Sequence, residues 1–315
     1  MRLATRSPFH LEATVRVLQR RPSNAVDVWT EGRYRRVLAS GSDLALVEVT
    51  NRGTVDAPDV RLSFPIGPIP ARARAALAVT VRTMLGLDVD PGPFQRRVEV
   101  EPALRPVALA LRGLRPPRFP ELFETFANVI PFQQLSLDAG VAAVSRLVRQ
   151  FGRRIELDGR ILHAFPTADV IAESRLASLR GCGISRQKAA TLRHVARAIE
   201  SGSLTEAGLE AMSAQDAERV LTDFPGIGPW SAALVLLRGL GRTDVFPPGD
   251  VGAQRGLMSL MHLRSKASLD RTVQRFGDCR GQFYFLGLGG DLLARRLIQP
   301  TGHAMTATIA SYESR

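Results

Sequence analysis

At 315 residues and a formal net charge of +12, the chain is long enough for two domains and basic enough to favour a polyanion, nucleic acid first. The charge does not locate a site: residues 1–112 carry 17 Arg against 11 acidic residues, and the remainder holds 25 basic against 19 acidic. No apolar run approaches the roughly 20 residues that span a bilayer, no apolar signal core opens the chain, and two cysteines are too few for a four-cysteine cluster or a Cys-based zinc site, so cytoplasm without membrane contact is expected.

The first part reads mainly as strands. AVDVWTEGRYRRVLAS (25–40), DLALVEVTN (43–51) and DVRLSFPI (59–66) alternate apolar with polar residues, and Glu31-Gly32 and Asn51-Arg52-Gly53 supply turns. A helix is predicted over 71–87, where Ala76, Leu77, Val79, Val81 and Leu85 are spaced for one buried face; DVDPGPFQ (88–95) ends it. The prolines of RGLRPPRFP (112–120) mark a boundary. Beyond it, segments near 120–130, 134–151, 168–177, 185–201, 213–222, 229–240, 251–262, 267–276 and 282–298 repeat apolar residues at helical spacing. The predicted class is α+β, with a small antiparallel sheet domain with helices over 1–112, a mostly α-helical domain over 113–300 and a loosely held tail over 301–315. Cys182 and Cys279 read as small buried side chains, and the five histidines show no ligand-like clustering.

Between the helices predicted over 213–222 and 229–240 lies Pro225-Gly226-Ile227-Gly228-Pro229. Two glycines permit backbone angles closed to other residues and leave N–H groups unobstructed at a helix N-terminus, a phosphate seat that reads no base. Ile227 would pin the turn to the core. A plain helix–helix turn satisfies the same pattern. About twenty residues on, Asp250 follows Pro247-Pro248-Gly249 and precedes a predicted helix, so it reads as an N-cap, as a functional carboxylate, or as both.

Together, FPGIGPWSA (224–232) and DVFPPGD (244–250) resemble the helix-hairpin-helix (HhH-GPD) DNA glycosylase superfamily, most closely its AlkA-type branch, DNA-3-methyladenine glycosylase II. FETFANVIPFQQLSLDAGVAAVSRLVRQFG (123–152), FPTADVIAESRLASLRGCGISRQKAATLRHVARAIESG (165–202) and, more weakly, LGLDVDPGPF (85–94) are similar to other parts of that branch. The resemblance implies a nucleoid-associated, monomeric enzyme that flips damaged bases out of double-stranded DNA. Asp250 would be its single essential carboxylate. Trp230, Leu234, Tyr284 and Leu288 would stand at base-pocket positions, and Gly226, Ile227, Gly228, Ser231, Gln133 and Gln134 would meet DNA, the two glutamines at the turn that fills the gap left by the flipped nucleotide. No cofactor is required; the main-chain carbonyls of Thr222, Phe224 and Ile227 match positions where the hairpin can hold Na+ or K+.

The chain departs from the family in two ways. Bifunctional members carry a catalytic lysine where this sequence has Trp230, which implies base removal without strand cleavage. The Trp-Tyr pair of the AlkA branch is replaced near Leu288 and Gly289, with Phe283 and Tyr284 shifted toward the N-terminus, and Leu234 stands where an aromatic is expected. Alkylated purines are the expected substrates. A deaminated or bulkier base, or a non-catalytic role in binding damaged DNA, are the competing readings.

Overall fold

The computed structural model describes residues 1–41 and 43–301. Five strands, β1 (Arg2–Leu3), β2 (Val28–Thr30), β3 (Arg33–Ser40), β4 (Asp43–Asn51) and β5 (Val60–Ser63), form an antiparallel sheet in the order β1-β5-β4-β3-β2. Glu31 and Gly32, at φ 52 and 74, make the two-residue turn whose twist matches the flanking strands. β3 and β4 pair from Arg33–Thr50 to Ser40–Asp43, which sets Tyr34 opposite Val49 and Leu38 opposite Ala45 on one buried face. That face packs on α1 (Leu11–Gln19) and α2 (Ala71–Met84). The opposite face, through Val37 and Leu46, meets a hairpin of β6 (Arg154–Leu157) and β7 (Arg160–His163).

The rest is mostly helical, as expected beyond residue 120: α3 (Gly92–Glu99), α4 (Arg105–Ala110), α5 (Leu122–Ala127), α6 (Leu137–Phe151), α7 (Ala168–Glu173), α8 (Leu176–Gly181), α9 (Arg186–Glu200), α10 (Glu206–Glu210), α11 (Ala214–Thr222), α12 (Pro229–Arg238), α13 (Val251–Leu260), α14 (Lys266–Phe276) and α15 (Arg280–Ala294). α12 is apolar on nearly every face and buried from Ser231 to Arg238, the pattern of a helix enclosed by others. Cys182 and Cys279 are buried, as read. Of the expected tail, residues 302–315 lie outside the described residues.

Three elements depart from expectation, each for a physical reason. α1 is a helix buried on two sides, with Leu11, Val15 and Leu18 against the sheet and Ala13 and Val17 against the helices. Its LEATVRVL carries a helical stripe, Leu11, Val15 and Leu18, yet also alternates apolar with polar residues as a strand does. DVDPGPFQ ends one helix and also begins α3, because Pro91 and Pro93 fall where a first turn tolerates them. Residues Val98, Leu104 and Val107 from this region join the helical core. The β6–β7 hairpin interrupts the helical part at Asp158-Gly159, a turn pair at φ 51 and 71.

One buried cation ties sheet to helices. The Arg36 guanidinium is fully buried; its Nη1 donates to Asp27 at 2.7 Å and its Nη2 to Glu124 on α5. Tyr34 donates its hydroxyl to the same Asp27 oxygen at 2.7 Å. Two carboxylates share one guanidinium away from water, and burial, reinforced by Asp27, pushes the Glu124 carboxyl up to about 7. Glu124 thus holds its proton in the fold at pH values where the unfolded chain has released it. Raising the pH from 4.5 through about 7 weakens the fold. Glu124→Gln is expected to flatten that dependence in denaturant unfolding, whereas Arg36→Met, stranding both carboxylates, should cost about 3–5 kcal/mol.

Candidate active site

The α11–α12 hairpin is built from its ends inward. Ser213 caps α11, its Oγ accepting from the Asp216 N–H at 3.1 Å, and Pro229 opens α12. Gly226 sits at φ +86, and a Cβ there would lie 2.4 Å from the Thr191 hydroxyl, which itself donates to the Pro225 carbonyl at 2.9 Å. Gly228 differs. At φ −103 and ψ −179 it is ordinary extended backbone, and an added Cβ would meet nothing within 4 Å. The conformational freedom expected of both glycines is required at Gly226 alone; Gly228 instead keeps space clear over the N-terminus of α12, which has no side-chain cap. Ile227 is 4% exposed and anchors the turn, as expected, but its N–H donates to the Phe224 carbonyl at 3.0 Å and is spent inside the hairpin.

This hairpin borders a groove of about 840 Å³ shared with the 132–135 loop, α9 and residues 249–252. Gln133 does not stand free to enter DNA: its Nε2 donates to the Gly226 carbonyl at 2.8 Å and to the Ser231 hydroxyl at 2.9 Å. Ser231 is 2% exposed, so its side chain serves Gln133 rather than a ligand. Gln134 is exposed at φ 54, and the apolar tip beside it is Leu135, 41% exposed. Lys188 of α9 supports this loop, its Nζ donating to the carbonyls of Pro131 at 3.0 Å and of Gln133 at 2.5 Å. Of the hairpin carbonyls proposed for a cation, that of Phe224 already accepts one hydrogen bond, and the Thr222 hydroxyl turns back to Glu218 and Arg219, leaving only main-chain oxygen there.

Asp250 caps α13, its Oδ1 accepting from the Ala253 N–H at 2.9 Å. Its Oδ2 accepts from Trp230 Nε1 at 3.1 Å and from the Tyr284 hydroxyl at 3.3 Å. Burial and the Asp250 carboxylate push the Tyr284 hydroxyl well up, so it remains a proton donor. Trp230, Leu234, Tyr284 and Leu288 share a pocket of about 220 Å³ with Asp250. Of the shifted aromatic pair, only Tyr284 is at the pocket. Phe283 stacks on Phe276 in the core, ring centroids 4.3 Å apart.

Among the pocket residues that had no part in the sequence reading are Phe132, Leu135, Arg20 and Arg238. Phe132 and Leu135 flank the glutamine pair, and their apolar character beside a polar loop was the available signal. Gly140 makes room for the Phe132 ring, since a Cβ there would lie 2.3 Å from it. Arg20 and Arg238 arrive from α1 and α12 and carry no local pattern. For the hairpin, Gly226→Ala is expected to destabilise by about 1–2 kcal/mol in denaturant unfolding, through left-handed backbone strain. Gly228→Ala should stay within about 0.5 kcal/mol of the natural protein.

Asp250 is held by three elements beside a ring-sized pocket, and the N-terminus of α12 opens onto the neighbouring groove. The model of the AlkA N-terminal domain matches residues 1–121, and that of the HhH-GPD superfamily base excision DNA repair protein matches residues 127–277. The DNA-3-methyladenine glycosylase of Bacillus subtilis is 27% identical over 269 residues, 84% of this chain and 88% of that protein. The 3-methyladenine DNA-glycosylase of Archaeoglobus fulgidus superposes with a TM-score of 0.78 at 25% identity, covering 93% of this chain and 99% of that one. The 8-oxoguanine glycosylase/lyase of Clostridium acetobutylicum, in complex with dsDNA, shares the fold at a TM-score of 0.72 and 20% identity, over 92% of this chain and 93% of that one. The chain belongs to the HhH-GPD superfamily of base excision DNA repair proteins, in its AlkA-type, DNA-3-methyladenine glycosylase branch.

Proposed function

We propose that this chain is a monofunctional DNA glycosylase that extrudes damaged purines, alkylated ones such as 3-methyladenine and 7-methylguanine among them, and hydrolyses their N-glycosidic bond. The observation that carries this reading is the Asp250 carboxylate, whose Oδ2 is held by Trp230 and Tyr284 at the wall of a pocket large enough for one base. As the C1′–N bond breaks, its electron pair leaves with the base and positive charge develops on the deoxyribose. A fixed carboxylate stabilises that charge, and water completes the displacement. Sugar leaving groups need a second carboxyl to protonate them; an alkylated purine, already cationic, leaves neutral without one. The uncapped N-terminus of α12 over Gly228 suits a DNA phosphate, and Leu135 with Gln134 suits the space vacated in the stack.

Absence of strand cleavage rests on the lysines. The chain has two, Lys188 and Lys266. Lys188 is tied to two loop carbonyls, and Lys266 lies outside the pocket and groove described above. A Na+ or K+ ion would find only oxygen donors at Thr222, Phe224 and Ile227, the set that hard cations take; it would help order the hairpin, and no step of the reaction depends on it. The protein would act on double-stranded DNA as a monomer in the cytoplasm.

Asp250→Asn keeps a capping oxygen for Ala253 but turns an amide NH2 toward the Trp230 indole N–H and the Tyr284 hydroxyl, so stability should fall by about 1–3 kcal/mol, with the fold retained. Base release from methylated duplex DNA should nevertheless fall at least ~100-fold. Strands should stay intact until alkali treatment. Undiminished release would assign the chemistry to another carboxylate. Tight binding by the natural protein without release of any base would support the non-catalytic reading. DNA affinity should fall on a log–log salt plot by about 0.9 per phosphate neutralised. Gly228→Ala should weaken that affinity; a flat salt dependence would contradict the groove assignment.

A further inference from the structure

The pocket beside Asp250 is lined by two cations. Arg20 is the C-cap of α1, at φ 64, a backbone conformation that favours glycine and is uncommon for an arginine. Its guanidinium lies 4.5 Å from the centroid of the Phe132 ring. Its one side-chain hydrogen bond among the described residues is a long one, 3.5 Å from Nη1 to the Asn128 carbonyl. Behind it, Arg238 is fully buried and stands over Phe119 and Phe285 at 4.8 and 5.7 Å. Arg238 Nη2 donates to the Val17 carbonyl at 3.2 Å, while its Nε and Nη1 have no partner among the described residues. Burial and the neighbouring Arg20 bring the Arg238 guanidinium down to about 9, still charged at neutral pH. On the other side of the ledger stand Asp250 and Asp291, the latter paired with Arg295 at 2.9 Å.

An aromatic face attracts a positively charged base only while it is free to receive it. Here the Phe132 face already carries a guanidinium, and a second one lies behind. A cationic N-methylated purine entering this pocket meets two like charges. A neutral base bearing a carbonyl meets donors that lack protein acceptors, and burying those donors unmatched is costly. We propose that Arg20 is a specificity-determining residue that donates to a carbonyl oxygen of the extruded base, so that the pocket favours neutral, carbonyl-bearing purines over positively charged ones. Arg238 adds to this preference by repelling cations from the pocket floor. The inference rests on the glycosylase reading above and names the substrate class within it.

The test is single-turnover base release from two duplexes, one carrying hypoxanthine, neutral with a carbonyl, the other 3-methyladenine, cationic in DNA and without one. Arg20→Met is expected to lower the hypoxanthine to 3-methyladenine rate ratio by roughly ten- to hundredfold, the worth of one hydrogen bond from a charged donor. Arg20→Gln, which keeps a donor without the charge, should give an intermediate ratio. It also carries the test if Arg20→Met fails to unfold cooperatively on heating. An unchanged ratio in a folded variant, whether both rates fall together or neither moves, overturns the role of Arg20 while leaving the glycosylase reading in place. Release of neither base by the natural protein overturns both.

Discussion

The geometry of the site depends on a buried guanidinium distant in sequence from every residue of the hairpin. Arg36, on β3, holds Asp27 with one nitrogen and Glu124 with another. Asp27 follows α1, and its carbonyl also receives Gln19 Nε2 at 3.0 Å, while Glu124 lies on α5 just ahead of the loop that carries Phe132 and Gln133. One cation therefore fixes the end of α1, where Arg20 emerges, against the approach to the 132–135 loop. Breaking such a contact leaves charge without water or partner, which is why it constrains geometry so strongly. The sheet domain thus reaches the pocket through α1, by Val17 and Arg20.

From that frame the site is assembled by donors from separate elements converging on single acceptors. Asp250 takes a backbone N–H from its own helix, an indole N–H from α12 and a hydroxyl from α15. None of these bonds is unusual alone. Together they restrict the carboxylate to one orientation, which is what a group meant to act on developing charge requires. α9 works similarly as a shelf: Lys188 gathers the carbonyls of the 132–135 loop, and Thr191 fills the space that only glycine at 226 leaves open.

The pocket's chemistry follows from what occupies its aromatic faces. Trp230 turns its N–H to Asp250, Tyr284 does the same with its hydroxyl, and Phe132 is covered by Arg20. The rings remain good partners for a flat base. Around them two arginines stand beside two carboxylates, and a binding site selects as much through what it repels as through what it attracts.

Local chemistry in the sequence determined the strand alternation of 33–51, most of the helices beyond 120, the hairpin around Gly226 and the carboxylate at Asp250. Each of these is decided by neighbours within a few residues: turn glycines, a capping position, a 3.6-residue or two-residue period. Tertiary structure decided the rest. α1 is buried on two sides, so its periodicity misleads; Gln133 is claimed by the hairpin opposite, leaving Leu135 as the exposed tip; Phe283 turns into the core while Tyr284 faces Asp250. Arg20 and Arg238 meet at one pocket from positions more than two hundred residues apart, and neither carries a local signal, because what gives them meaning is the shared pocket and the unmatched donors of Arg238, which exist only once the chain has closed around them.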